Sequence, residues 1–349
     1  MPDAPVLARR IRRGERLGAI ARLLNAPAGQ ERVVVERFLA AAPGSGIDPD
    51  LIWWAGEEDE KRGPIIRQAV LAVPGAGRTA TAFLSGPASE TLYGSSWIQR
   101  ADRVACLEAM CGEVAEVGTP GGADAGNVGS GVALVQALVE PTEHWCIDAL
   151  DAAGFQSVGL LEYMSRAMEP PAPPPEPKWP EGVTITPVSE LGDPAAWWPR
   201  MVAALEASYE ATLDCPELCG LRETSDVLES HRATGRFDPR FWWLIERGGE
   251  PVGCCLMSLV PAQRTVELVY IGMSPRVRGF GLGRSLLTHA LCAVSRLPAD
   301  DVVLAVDTRN APAARIYAAL GFAVTMRRVG YVRRVVDRGA GRVDATATA

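Results

Sequence analysis

The strongest constraint on how this chain folds is a proline run. Residues 169–182 read EPPAPPPEPKWPEG. Proline has no backbone N–H and a fixed φ, so such a run continues neither a helix nor a central strand and favours an extended spacer. It divides the 349 residues into two stretches, each long enough to bury a core of its own. The expected organisation is a first domain over 1–168, a linker over 169–181 and a second domain over 182–338. A tail, 339–349, is expected to lack fixed structure.

The two stretches match each other in four places, in the same order. DPDLIWWA from Asp48 matches DPRFWWLI from Asp238, and VPGAGRTATAF from Val73 matches VPAQRTVELV from Val260, with Arg78-Thr79 facing Arg264-Thr265. DALDAAGF ending at Phe155 matches RIYAALGF ending at Phe322, and Tyr163 matches Tyr331. Register order of this kind predicts two copies of one α/β unit. In the second copy, periodicity and breakers predict a strand at GVTITPV, then a helix from Trp197. A shorter helix follows, capped by Thr224 or Ser225. Two strands then flank Gly248-Gly249, and a third is TVELVYIGMS. A glycine loop, a helix, the strand VVLAVDT, the helix APAARIYAALG and closing strands in AVTMRRVGYVRRVV complete it. That order predicts an α/β (α+β) class: a mixed, mostly antiparallel sheet flanked by helices, not a βαβ array.

Composition removes several functions. A net charge of −7 argues against a nucleic-acid partner, since phosphate binding needs a basic face. Apolar runs fall short of the roughly 18–20 residues that cross a bilayer, so no membrane association is expected. The Arg-rich start, with Asp3 and Glu15, lacks the apolar core of a secretory signal and reads as an amphipathic helix. The eight cysteines include no paired CxxC sets; Cys215 and Cys219, in CPELC, come nearest to a ligand pair and read as buried thiols. No metal is expected, and the compartment expected is the cytoplasm.

The chemistry concentrates in two motifs. Arg278-Gly279-Phe280-Gly281-Leu282-Gly283-Arg284 lies directly between a strand and a helix. A glycine turn there lets backbone approach a ligand and aims free amides and the positive helix end at an anion. The spacing is not GxGxxG, and GxxxxGK is absent, so dinucleotide and P-loop readings fail. In the second motif Asn310 caps a helix, Pro312 sits in its first turn, Gly321 ends it, and Tyr317 lies two turns along.

An RGxGxG loop about thirty residues ahead of an NxxAxxxYxxxGF helix resembles the acetyl-CoA site of the GNAT acetyltransferases, over residues 182–335. The resemblance implies that amides of the loop, Gly279, Gly281, Leu282, Gly283 and Arg284, hold the CoA pyrophosphate, with Arg278 and Asn310 contributing to the site. It implies that Ile271 and Met273 bind the pantetheine arm through their backbone, Met273 standing where the family usually has valine. Tyr317 would protonate the departing thiolate. Glu267 would be the base for direct attack by an amine, unless Arg264 neutralises it as a structural ion pair. Asp307, His231 and His289 are lesser base candidates.

The first copy lacks these pieces. Thr81 falls opposite Glu267, Glu143 opposite Asn310 and Leu150 opposite Tyr317, and GPASETLYGSSWIQR replaces the glycine loop. The whole resembles tandem GNAT proteins of the mycothiol-synthase kind, with a degenerate first domain. The expected activity is acetyl transfer from acetyl-CoA, as co-substrate, to a primary amine on a small molecule or protein. The acidic segment from Asp214 to Glu229 could attract a cationic acceptor, or simply be a solvated helix face. Two alternatives use the same fold: a CoA-binding regulatory module without turnover, and a peptide-ligation transferase that uses aminoacyl-tRNA. The oligomeric state is left open.

Overall fold

The computed structural model describes residues 7–59, 63–120, 131–168 and 179–335. The expected tail, most of the proline run and residues 121–130 lie outside the described residues. Two compact units result: one from the residues up to Ser157 together with those from Gly330, the other Val158–Val329.

The first unit runs β1 (Leu7–Arg10), α1 (Arg16–Leu23), α2 (Glu31–Ala41), β2 (Ile52–Asp59), β3 (Gly63–Gly75) and β4 (Thr79–Leu84). It continues through α3 (Glu90–Tyr93), α4 (Ser96–Glu113), β5 (Leu134–Val139) and α5 (His144–Ala152), after which the chain enters β6 (Gln156–Ala167). Strands β1 to β4 pair antiparallel in chain order, and β5 joins β4 in parallel over 79–81 and 134–136. Ile20, Ile52, Trp54, Ala69 and Leu71 form a core between the sheet and α1. Where the second repeat has its glycine loop, this unit has a buried polar knot. Arg22 and Ser85 both donate to Gln68 Oε1 (3.0 and 2.7 Å), and Gln99 Nε2 donates to the carbonyls of Ala88 and Gly94.

The second unit runs β7 (Val183–Pro187), α6 (Pro194–Tyr209), α7 (Thr224–Arg232), β8 (Trp242–Arg247), β9 (Glu250–Val260) and β10 (Thr265–Met273). Then come α8 (Leu282–Val294), β11 (Asp301–Asp307), α9 (Ala311–Ala319) and β12 (Ala323–Arg334). Its strands lie in the order β12, β6, β11, β10, β9, β8, β7. Alternation on β8 shows why both faces are covered: Trp242 and Leu244 join one apolar cluster, Trp243 and Ile245 the other. Met201 and Leu205 of α6 and Leu228 of α7 cover the first face. Leu286 and Leu287 of α8 and Tyr317 of α9 cover the second. Among the described residues no helix is long and apolar enough to cross a membrane.

The mixed, mostly antiparallel sheet with flanking helices is as expected, and the repeat holds at the level of single residues. Arg78 and Arg264 both adopt the left-handed conformation (φ 59° and 54°) directly ahead of the strand that opens a parallel ladder. Glu143 and Asn310 cap their helices with φ/ψ of −82°/59° and −83°/58°. Phe155 N–H donates to Leu150 O and Phe322 N–H to Tyr317 O, both at 3.0 Å. A left-handed non-glycine residue costs about 1–2 kcal/mol, so the geometry is kept in both copies at a price.

Local details differ from expectation. Helix α6 starts before Trp197, because Asp193 caps it by accepting from Ala195 N (2.7 Å) and Pro194 fills the first turn. Helix α7 is entered from Glu223, so Thr224 and Ser225 lie inside it and no side chain caps it. The closing segment is one strand rather than several. The unit boundary also departs from chain order: most of β6 belongs to the second unit because it pairs antiparallel with β11, 161–167 against 307–301.

Candidate active site

Strand divergence creates the site. β10 pairs β9 along nearly its whole length, with a bulge between Leu268 and Tyr270. Against β11 it forms only three parallel rungs, 265–267 with 301–303. Beyond Glu267 and Val303 the two strands continue, β10 to Met273 and β11 to Asp307, without a rung between them. The result is a wedge whose apex carries Glu267. Ile271 and Met273 pack their side chains into the apolar layer below, which leaves their backbone on the open edge of β10.

The glycine loop follows at the mouth of the wedge. Ser274 opens it by accepting from Arg276 N (3.4 Å), and Pro275–Val277 form a single tight turn. Gly281 stands at the N-cap of α8 with φ 76° and no side-chain cap, so the first amides of the helix, from Leu282 to Arg284, have no carbonyl before them. A Cβ on Gly283 would lie 3.1 Å from Met273 Cε and 3.5 Å from Ile316 Cδ1, which shows how closely α8 approaches β10 and α9. Leu282 is buried, while Arg284 and Phe280 are exposed. The Arg278 guanidinium is committed to backbone carbonyls of Met273, Ser208, Glu210 and Ala211.

The Glu267 carboxyl is pushed up by burial, and among the described residues no cation offsets it. Arg264, the partner that could have neutralised it, instead forks onto Asp300 at the surface (2.7 and 2.6 Å). Residues three apart on a strand face opposite sides, so the parity of 264 and 267 already signalled this. Opposite Glu267 on β9, Ser258 Oγ is buried without a partner, and Thr265 Oγ1, on the same face, is likewise orphaned. Tyr163, on β6, feels the Glu267 charge after burial in having its phenol pushed up. Tyr317 is buried, edge-on to Phe322 at 6.0 Å, and its phenol is pushed well up by burial, then by Asp214 and Cys255. It therefore stays protonated at neutral pH.

The lesser base candidates are otherwise occupied. His289 sits edge-on between Trp179 and Trp243, 5.8 Å from each. His231 stacks on Tyr270 at 5.5 Å and is pushed down to about 4 by burial and then Arg222, so it is neutral at pH 7. Burial alone would push the Asp307 carboxyl up, but hydrogen bonds from Arg309 and the amides of Arg309 and Cys215 bring it below its ordinary value. Asn310 accepts from Ala313 N (3.3 Å) as a helix cap, and its side chain also meets Asp214.

A network invisible in the sequence pattern fastens the segment after α6. Asp307 N–H donates to Asp214 Oδ1 (2.8 Å), and Cys215 N–H donates to Asp307 Oδ2 (3.1 Å). Arg309 bridges Asp307 to Glu217, reaching the latter at 2.6 and 2.8 Å. Ala211 and Cys215 are both left-handed there (φ 48° and 45°), a strain of about 1–3 kcal/mol each that the network must hold. Asp214, Cys215 and Asp307 bring three ligand atoms within 4.8 Å of one another. They do not suit a metal: Arg309 already supplies the cation, and the Cys215 thiol is pushed up to about 12, chiefly by burial.

Comparison with known proteins agrees with this geometry. The profile of the acetyltransferase (GNAT) family matches residues 205–322, spanning the wedge, loop and α9. The chain is 36% identical over 164 residues to a mycothiol acetyltransferase of Streptomyces bingchenggensis, 46% of this chain and 50% of that protein. It thus spans about half the length of that relative. To the mycothiol acetyltransferase of Streptomyces avermitilis it is 30% identical over 296 residues, 83% of this chain and 92% of that one. A solved GCN5-related N-acetyltransferase from Sphaerobacter thermophilus shares the fold with a TM-score of 0.52 and 17% identity, covering 97% of this chain and 98% of its own. With two copies of the fold in one polypeptide and the motif-bearing copy second, the chain belongs to the tandem GNAT acetyltransferases.

Proposed function

We propose that the chain transfers an acetyl group from acetyl-CoA to a primary amine by direct attack, in the second repeat alone. The observation that carries this is the wedge: an open β-strand edge runs from an unneutralised glutamate at its apex to an uncapped glycine loop at its mouth. An extended thioester arm suits the edge of β10 at Ile271 and at the Met273 amide, beyond the last β11 rung; the Met273 carbonyl already accepts from Arg278 Nε (2.8 Å). An anionic diphosphate suits the amides from Gly279 to Arg284 at the start of α8. Space for it is open, since a Cβ built on Gly279 or Gly281 meets nothing within 4 Å.

The residues divide the proton work. Only a neutral amine attacks a thioester, so Glu267, made a better base by burial, accepts the proton released from the nucleophile. Tyr317, held protonated by the apolar layer, donates to the departing sulfur. Backbone N–H groups on the open edge of β10 are the donors available to the oxyanion. The first repeat retains the frame and, with its Gln68–Gln99 knot in place of the loop, takes no CoA.

The amine we assign is the unacetylated form of mycothiol, on the strength of the relatives named above and of a wall carrying Asp214 and Glu217. The deciding experiment titrates acetyl-CoA into wild type and Gly281→Glu by calorimetry, then follows the acetylated amine by chromatography. One site lost in the variant, with turnover of that amine, is expected. No site would overturn the cofactor assignment, and two sites would overturn the claim that the first repeat takes no CoA. Binding with turnover of other amines only would overturn the acceptor.

A further inference from the structure

Arg278 opens the glycine loop, yet its guanidinium points away from a phosphate-binding task. Nε donates to Met273 O (2.8 Å), Nη1 to Ala211 O (2.9 Å), and Nη2 to both Ser208 O (3.0 Å) and Glu210 O (2.8 Å). Four of the five N–H groups of the fork are used. Met273 ends β10, whereas Ser208, Glu210 and Ala211 form the C-terminal turn of α6 and its exit. The charge therefore sits at the negative end of α6, satisfying carbonyls that have no helical donor.

From Ala211 the chain passes to the other bank of the wedge. There Asp214 takes the amide of Asp307, Cys215 gives its amide to the Asp307 carboxylate, and Glu217 takes Arg309. Residues 208–217 are thus fastened to β10 by the Arg278 guanidinium and by the hydrogen bond between Ser208 Oγ and Tyr270 Oη (2.6 Å), and to β11 by a charged network. Asp214, set in this span, influences both Tyr270 on β10 and Tyr317 on α9.

We propose that Arg278 is a positioning residue for the acceptor amine: it helps fix residues 208–217 across the wedge, and its one guanidinium ties the acceptor wall to the glycine loop. The proposal rests on the acetyl-transfer reading above and gives Arg278 a part other than holding pyrophosphate. A Lys at this position keeps the charge at the end of α6 but cannot reach four carbonyls in a fork.

The test compares wild type, Arg278→Gln and Arg278→Lys as full chains. Three quantities are measured: acetyl-CoA affinity by calorimetry, kinetics with the unacetylated form of mycothiol, and hydrogen exchange of residues 208–219. Arg278→Gln should speed exchange in that segment. Its kcat/KM for the amine should fall on the order of 10²-fold, as a displacement near 1 Å costs, while acetyl-CoA affinity stays within about threefold. Arg278→Lys should fall between the two and guards against a misfolded Gln variant. Weakened acetyl-CoA binding with unchanged exchange would make Arg278 a phosphate ligand and overturn the proposal. Unchanged exchange and unchanged amine kinetics would overturn it too. Wild type that binds no acetyl-CoA would instead sink the acetyl-transfer reading, a result visible before any variant is made.

Discussion

Replacing Glu267 by Gln should slow the enzyme and steady the protein at once. Gln keeps the size of the side chain and its place opposite Ser258, so binding of either substrate should change little. What it loses is a proton acceptor. A positioned base contributes roughly 10²–10⁴ in rate, or about 3–5 kcal/mol of barrier at about 1.36 kcal/mol per decade. Because Arg264 is spent on Asp300, no cation quenches the carboxylate, and the upper half of that range is expected. Stability moves the other way. Burial raises the folded carboxyl above its ordinary value, so as pH rises through that window the unfolded chain releases its proton first and unfolding is favoured. Gln cannot ionise. The variant should therefore match wild type in acid, where both side chains are neutral, and gain over it as pH rises through the raised value, levelling off above. Thermal melts from pH 4 to 8, with kcat and KM at each pH, read both effects. Activity within tenfold of wild type, or a stability difference that does not change with pH, would refute the reasoning.

Tyr317→Phe keeps the edge-on contact with Phe322 and should lower kcat by about 10²-fold with acetyl-CoA affinity unchanged, measured by calorimetry and single-turnover kinetics. With the phenol pushed up, wild-type kcat should show no alkaline fall from this group below its ordinary value near ~10. Arg309→Met strips the fully buried Asp307 carboxylate of its cation. Because the Arg309 side chain is 45% exposed, the loss is discounted from the buried-pair range to about 1–2 kcal/mol by denaturant titration. The wild-type contribution is present above the ordinary carboxylate value and lost as pH falls through the lowered folded one, so the two proteins should converge in acid. Of the eight thiols, only Cys219 is exposed and Cys292 half-buried. Native protein should yield one fast alkylation at Cys219 by peptide mapping, and unfolding should release the rest.

Much of this was readable from residue types. The Arg78–Arg264, Glu143–Asn310 and Leu150–Tyr317 correspondences survive as matching backbone geometry, because each marks a local device: a left-handed turn, a cap, a helix end. The glycine loop was legible for the same reason, its conformation being written in its own residues. What escaped depends on partners far along the chain. Asp214 meets Asp307 across 93 positions, and Arg278 meets Ser208 across 70. No periodicity encodes either contact. Tyr163 was recognised as a repeat position but not as a neighbour of Glu267, since the pattern of a strand does not say which sheet will take it. The cap of α7 was misplaced because Thr224 and Ser225 have the right chemistry one and two residues too late.

That last strand of the first repeat has an evolutionary consequence. β6 precedes the proline run, yet it lies beside β11 in the second unit, while the chain from Gly330 returns to the first. The seam that looks easiest to cut is therefore the wrong place to cut. A gene split in the proline run would deprive the second copy of Tyr163 and of the strand that flanks Asp307, and would leave the first copy short of its final residues. Recombination at that seam cannot release either copy whole. Selection that keeps the second repeat folded therefore also keeps the strand that the first repeat lends it.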